Sequence, residues 1–242
     1  MKHRVKAAAV CCFLSVLWVL PTSAEDRPPR KESRALKWGG VSDVLVTNPL
    51  ENQARPSVAS APNGDLFVAV DNLDSNSIDV FDSTDGGKTW SPLYSFTNGS
   101  DSRHPSIAFA RGDEDWVYVA YEKVNADDSR EVWVMRFHRA LAPISRHTKV
   151  GGPWSMGSSI EHIQPRITTD TIEFGSIHYV YVTYTVKVGS KYPIYFSRSV
   201  DHGITWSTPA DVSGGSVATT WLPRPDIAYG RAGLFVAFVK PG

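Results

Sequence analysis

Beyond its first 24 residues the chain shows no apolar periodicity of the helical kind. Short, mostly apolar runs recur instead: Asp65–Val70, Trp116–Tyr121, His178–Tyr184 and Leu234–Phe238. Each follows a segment opened by a proline, in turn Arg55-Pro56-Ser57, His104-Pro105-Ser106, Gln164-Pro165-Arg166 and Arg224-Pro225-Asp226. The prolines stand at 56, 105, 165 and 225, with spacings of 49, 60 and 60. Each unit therefore reads as a Pro-opened strand, a turn and an apolar strand. Third strands follow at Ser77–Asp82, Glu131–His138 and Pro193–Arg198. A period of about 50 residues carrying four strands predicts an all-β propeller blade. The near-continuous apolar second strands fit blades covered on both faces. A β-sandwich is the alternative, and it gives no reason for a four-fold recurrence.

A second repeat overlies the first. Ser83-Thr84-Asp85-Gly86-Gly87-Lys88-Thr89-Trp90 returns as Ser199-Val200-Asp201-His202-Gly203-Ile204-Thr205-Trp206. Both spell S-x-D-x-G-x-T-W, the chemistry of a hairpin turn. Asp85 and Asp201 can accept backbone N–H groups in an Asx turn. Gly87 and Gly203 supply φ > 0, and Trp90 and Trp206 open the next strand as apolar anchors. Unit two has no such octet in its corresponding turn, Arg139–Ser145.

The octet is identified as the Asp-box, or BNR repeat, and the chain resembles the sialidase superfamily that carries it. The resemblance implies a six-bladed propeller with the box between the outer two strands of a blade, as a fold marker. It extends into the first blade. There the family places an arginine motif that grips the substrate carboxylate, a G-D-L-L-type strand, a loop with the acid/base aspartate, and the first box. This chain has Arg55-Pro56-Ser57, Asn63-Gly64-Asp65-Leu66-Phe67, Asp71-Asn72-Leu73-Asp74 and the box at Ser83. By resemblance Arg55 is the carboxylate clamp, and Asp71, with Asp74 second, is the acid/base. Two departures stand out: Arg55 abuts Pro56, and the Asp71–Ser77 loop is short. The family's tyrosine nucleophile and third arginine come from late blades. Its base glutamate has no motif here, and Glu122, Glu131, Glu161 and Glu173 are candidates by presence alone. Tyr121, Tyr181 and Tyr184 lie in apolar strands, where packing is the expected role.

An arginine stands near every opening proline: Arg55, Arg103, Arg166 and Arg224, at −1, −2, +1 and −1. Strand alternation puts Arg55, Arg166 and Arg224 on one face and Arg103 on the other. First strands line a propeller's channel, so three arginines could converge on an anion there. Alternatively they pair with Asp or Glu between blades.

Composition changes the picture at the N-terminus. Lys2, Arg4 and Lys6 precede the apolar run Ala7–Leu20, and Thr22-Ser23-Ala24 offers a cleavage site. Met1–Ala24 is thus expected to be a signal peptide, and residues 25–37 a polar leader, giving a secreted or periplasmic protein. Cys11 and Cys12 fall inside the signal, so the remaining chain has no disulfide and relies on its core. Without the signal, 22 Lys and Arg face 25 Asp and Glu, a net charge of about −3. No nucleic-acid or membrane partner is indicated, and no metal spacing or cofactor motif is present.

The propeller is expected over residues 38–242, with blades near 55–100, 103–152, 163–213 and an incomplete 223–242. That is about three and a half blades, which suggests a truncated piece of a longer chain. Two functions follow. One is an exo-α-sialidase-type glycoside hydrolase, expected to be inactive as this piece alone. The other is a non-catalytic propeller that binds glycan or protein. The implied ligand is a glycan or sialoside; no oligomeric state is indicated.

Overall fold

The computed structural model describes residues 6–7, 44–47, 50–110, 116–138, 146–155, 163–170, 179–214, 223–230 and 232–239. Apart from Lys6 and Ala7, the expected signal peptide and leader lie outside these, as do Glu161, Glu173 and the turn Arg139–Ser145. The protein is all-β, with antiparallel sheets arranged as propeller blades. The first blade is β2 (Gln53–Ser60), β3 (Leu66–Asn72), β4 (Ser77–Ser83) and β5 (Ser91–Phe96). The second is β6 (Asp101–Ala110), β7 (Trp116–Val124), β8 (Ser129–His138) and β9 (Arg146–Ser155). The third is β10 (Arg166–Thr169), β11 (Val180–Thr185), β12 (Ile194–Ser199) and β13 (Ala210–Asp211). In each of these the strands pair in sequence order. A fourth sheet joins β14 (Asp226–Gly230) to β15 (Gly233–Ala237), with β1 (Lys6–Ala7) parallel beside β15.

Strand alternation explains why the second strands are apolar throughout. On β7, Val117, Val119 and Tyr121 face the first blade and join Phe67, Ile78, Val80 and Phe96. The intervening Tyr118 and Ala120 face the third blade and join Ile167, Val182 and Tyr184. Both faces are dry, so no polar alternation is left to read. Ring contacts bridge the first interface, with Phe67 on Phe109 at 5.7 Å and Phe96 on Tyr121 at 5.3 Å. Tyr181 stacks on Tyr229 at 6.0 Å across the third. Each fully buried side chain of this size contributes about 1.5–3 kcal/mol.

Side chains also stitch first strand to first strand. Ile107 N donates to Ser57 Oγ (3.1 Å), and one blade later Ile167 N donates to Ser106 Oγ (3.2 Å). Both serines directly follow the opening proline, so one hydrogen bond repeats with the blade.

The octets occupy the β4–β5 and β12–β13 connections. Asp85 Oδ1 accepts Lys88 N and Thr89 N (both 2.9 Å), and Oδ2 accepts the Thr89 hydroxyl (2.7 Å). Ser83 Oγ accepts Gly87 N at 2.8 Å, matched by Ser199 Oγ and Gly203 N. Gly87 and Gly203 have φ of 89° and 75°, a backbone only glycine takes without strain. The tryptophans depart from expectation. Trp90 lies just before β5 and turns its Nε1 back to Gly87 O (3.2 Å). Trp206 stands well ahead of β13 and packs on the core between blades two and three. The second octet is also tied to the neighbouring blade, where Arg136 Nη1 donates to His202 O at 2.7 Å.

Candidate functional site

The starts of the four first strands surround a cavity of about 500 Å³. Its wall carries Arg55, His104, Gln164, Arg166, Arg224 and Asp226, interleaved with Pro56, Pro105 and the stitching serines. A backbone feature repeated in three blades builds it. The residue before the opening proline is left-handed, with φ of 53° at Arg55, 54° at His104 and 48° at Gln164. Proline already disfavours the right-handed helical region for the residue before it, and positive φ is uncommon outside glycine. At Arg55 and His104 the pairing register slips, between Ala54 and Ser57 and between Arg103 and Ser106. These are β-bulges, which re-aim a side chain. The equivalent residues are therefore Arg55, His104, Gln164 and, by position, Arg224, and all four lie on the cavity wall.

This equivalence sorts the sequence candidates. Arg55, Arg166 and Arg224 do share the cavity. Arg103, two residues before its proline, is not on the wall; its Nε and Nη2 hold Asp101 at 2.6 and 2.5 Å. Arg166 stands where blades one and two place the stitching serine. Its Nη1 donates to Pro165 O (3.2 Å), and Ile227 N is satisfied by Asp226 Oδ1 (2.9 Å). Among the described residues no carboxylate is within ion-pair reach of Arg166 or Arg224.

The two aspartates offered as acid/base take other places. Asp71 is in strand β3, not in a loop, and is fully buried. Its Oδ2 accepts Arg55 Nη1 at 2.7 Å, while its Oδ1 has no hydrogen-bond partner among the described residues. Burial pushes its carboxyl above the ordinary carboxylate value, against the opposing hydrogen bond from Arg55. Asp71 is absent from the wall, and the arginine it holds is the group that faces the cavity. Asp74 lies in the exposed β3–β4 turn, where Oδ2 accepts Asn52 N at 2.8 Å. The short loop folds this carboxylate back onto the chain before β2. Among the described residues, the acid on the wall is Asp226.

Glu122 is the second-blade counterpart of Asp71: Asp71 pairs with Ala54 and Glu122 with Arg103, each two residues before a proline. It is fully buried, with Oε2 3.0 Å from His104 Nδ1 and Oε1 3.2 Å from Arg130 Nη1. In both blades a carboxylate late in the second strand backs the residue before the proline. The third blade has Thr185 there, and its hydroxyl donates to Pro223 O (2.6 Å). Glu131 lies elsewhere, bound by Trp133 Nε1 and Lys149 Nζ (both 2.8 Å). Tyr121, Tyr181 and Tyr184 are core residues whose phenols burial pushes above their ordinary range.

His104, Gln164 and Asp226 were missed from the sequence. Aligning the units on their prolines and reading down the preceding column would have found the first two. Among the described residues no cluster of His, Cys, Asp and Glu is placed to hold a metal ion.

No protein-family model matches the chain, and no curated protein does. Solved structures of similar shape include an α-L-arabinofuranosidase from Fusarium graminearum in complex with an iminosugar. It shows 15% identity and a TM-score of 0.49, over 72% of this chain and 52% of that one. A Penicillium chrysogenum α-L-arabinanase complexed with arabinobiose shows 15% identity and a TM-score of 0.49, over 76% and 57%. An endo-1,4-β-xylanase from Bacteroides thetaiotaomicron shows 14% identity and a TM-score of 0.44, over 75% and 63%. None of the three is a sialidase, and the chain spans little more than half the length of the first two.

Proposed function

We propose that this chain is a sialidase-like propeller that captures the carboxylate of an acidic sugar, of the sialic acid type, in the central cavity. The observation that carries the reading is the placement of Arg55, Arg166 and Arg224 on one wall, two of them without an acidic partner among the described residues. Guanidinium groups hold a carboxylate through planar, charge-assisted, paired hydrogen bonds. Arg55 is pre-oriented by Asp71, and Asp226 can accept a hydrogen bond from a sugar hydroxyl. Export directed by Met1–Ala24 would bring such a site to extracellular glycans.

Calorimetry on the full chain with N-acetylneuraminic acid and its methyl ester tests this. The free acid should bind, the ester should not, and Arg166→Ala should abolish binding of the acid. Equal binding of acid and ester would overturn the carboxylate reading.

Hydrolysis is the second reading, of the exo-α-sialidase type. It is favoured by Asp71, whose burial-raised carboxyl suits a proton donor. Against it, Arg55 stands between Asp71 and the cavity, so a substrate would have to displace that ion pair first. A fluorogenic α-sialoside separates the two: release lost in Asp71→Asn with binding retained supports hydrolysis, and binding without release supports capture alone.

A further inference from the structure

We propose that His104 is a ligand-binding residue of the cavity and that its protonation makes capture of a sugar carboxylate pH-dependent. Capture would be tight with imidazolium and weak with neutral imidazole. The role rests on the carboxylate reading above, and three observations support it. His104 occupies the site equivalent to Arg55, with the same left-handed backbone, φ 54° against 53°. It lies on the cavity wall, as Arg55 does. It is backed as Arg55 is backed, with Nδ1 3.0 Å from Glu122 Oε2. The first blade thus places a permanently charged side chain at the wall, and the second places a buried imidazole there, 6% exposed, that can be switched.

The charges around His104 set the sign. From β7 and β8, Glu122 and Arg130 stand 3.2 Å apart as an ion pair beside the imidazole. Proton uptake by His104 adds one positive charge to this cluster. From the first blade Arg55 and Asp71 face it as a second pair, and on its own strand Arg103 is matched by Asp101. Across the cavity stand Arg166, Arg224 and Asp226. A sugar carboxylate stays ionised above about pH 4. Attraction therefore strengthens as the pH falls through the His104 midpoint. Asp71 also gains a proton on acidification, and that contribution persists when His104 is replaced.

His104→Gln is a suitable variant because Gln164 already occupies the equivalent position in the third blade, at φ 48°. Histidine NMR on the full chain locates the His104 midpoint as the titration missing from the variant. Calorimetry with N-acetylneuraminic acid is then run about one and a half pH units to either side. The wild type is expected to bind at least tenfold more tightly on the acid side. His104→Gln should lose that difference. Glu122→Gln should lower the midpoint by about one to three units, the usual effect of an adjacent opposite charge. The affinity transition should move with it.

Identical pH profiles for wild type and His104→Gln overturn the role of His104 while leaving the carboxylate site standing. An affinity transition that fails to follow the NMR midpoint in Glu122→Gln does the same. Absence of binding by the wild type at both pH values overturns the carboxylate site, and the role of His104 with it.

Discussion

At one end of the first blade Asp85 sits in the open and gathers two backbone N–H groups and the Thr89 hydroxyl. At the other end of the same strands Asp71 is fully buried, holds Arg55 through one oxygen and has no hydrogen-bond partner for the other among the described residues. The two aspartates are displaced in opposite directions. The Thr89 hydroxyl and N–H, with Ser83, hold Asp85 well below the ordinary carboxylate range, whereas burial lifts Asp71 above it. The octet satisfies its own polar groups within a few residues, so it can serve as a turn and offers nothing to a ligand. The cavity rim combines left-handed backbone, buried carboxylates and two arginines, Arg166 and Arg224, without an acidic partner among the described residues. Such costs persist where the surrounding structure over-determines them, and that is common at binding sites.

The sharpest way to test this contrast is to remove one group from each end and read affinity for N-acetylneuraminic acid. Arg55→Ala removes a charged donor from the cavity and is expected to weaken binding by about 2–4 kcal/mol, roughly thirty- to a thousandfold. Ser83→Ala at the octet end should leave affinity within about twofold, because among the described residues its hydroxyl bonds to Asp85 and Gly87, both inside the octet. A comparable loss in both variants would mean that the two ends are not separable.

Stability should respond the other way. Ser199 is buried, and its Oγ accepts Gly203 N at 2.8 Å and donates to Asp201. Ser199→Ala leaves a buried N–H without its acceptor and should cost about 1–3 kcal/mol in urea denaturation, with affinity unchanged. Ser106→Ala breaks only one stitch, to Ile167 N, and should cost less, about 1 kcal/mol. A Ser106→Ala effect as large as that of Ser199→Ala would mean that the repeated stitch, rather than the octet, ties the blades together.

The fold was legible because its signals are local or periodic. The octet spans eight residues and the Pro-opened units recur every 49 to 60, so blade and turn follow from the chain itself. The arginine face was half legible: Arg55, Arg166 and Arg224 share the wall and Arg103 is not on it, but bulges at Arg55 and His104 interrupt the alternation from which that face was read. His104 was hidden because a bulge breaks alternation at the one residue that matters, and Arg103 beside it looked like the member of the set. Asp71 and Asp74 could not be placed, since burial behind Arg55 and the fold-back onto Asn52 are tertiary facts. The loop reading of Asp71 failed because β3 continues one residue past it, to Asn72.

The smallest effect to seek is one of slope, and it sets the two aspartate environments against each other. Asp71 has a folded-state pKa above its ordinary 3.8, so the native state holds its proton more tightly than the unfolded chain does. Stability from this group therefore falls as pH rises from 3.8 through the raised value, and acidification recovers it. Asp201 is the reverse. Burial pushes it up, but the Thr205 hydroxyl and N–H and Ser199 outweigh that and hold it below 3.8. Its contribution is present above 3.8 and is lost as pH falls through the lowered value. Acidification from neutral pH should thus stabilise through Asp71 first and destabilise through the octets afterwards. Urea denaturation of the wild type, Asp71→Asn and Asp201→Asn between pH 3 and 7 isolates each contribution, because every other carboxylate is common to all three. Asp71→Asn should remove the early gain and Asp201→Asn should soften the later loss. If Asp71→Asn parallels the wild type above pH 3.8, Asp71 is not the strained carboxylate its burial implies, and the contrast between the two ends of the blade fails.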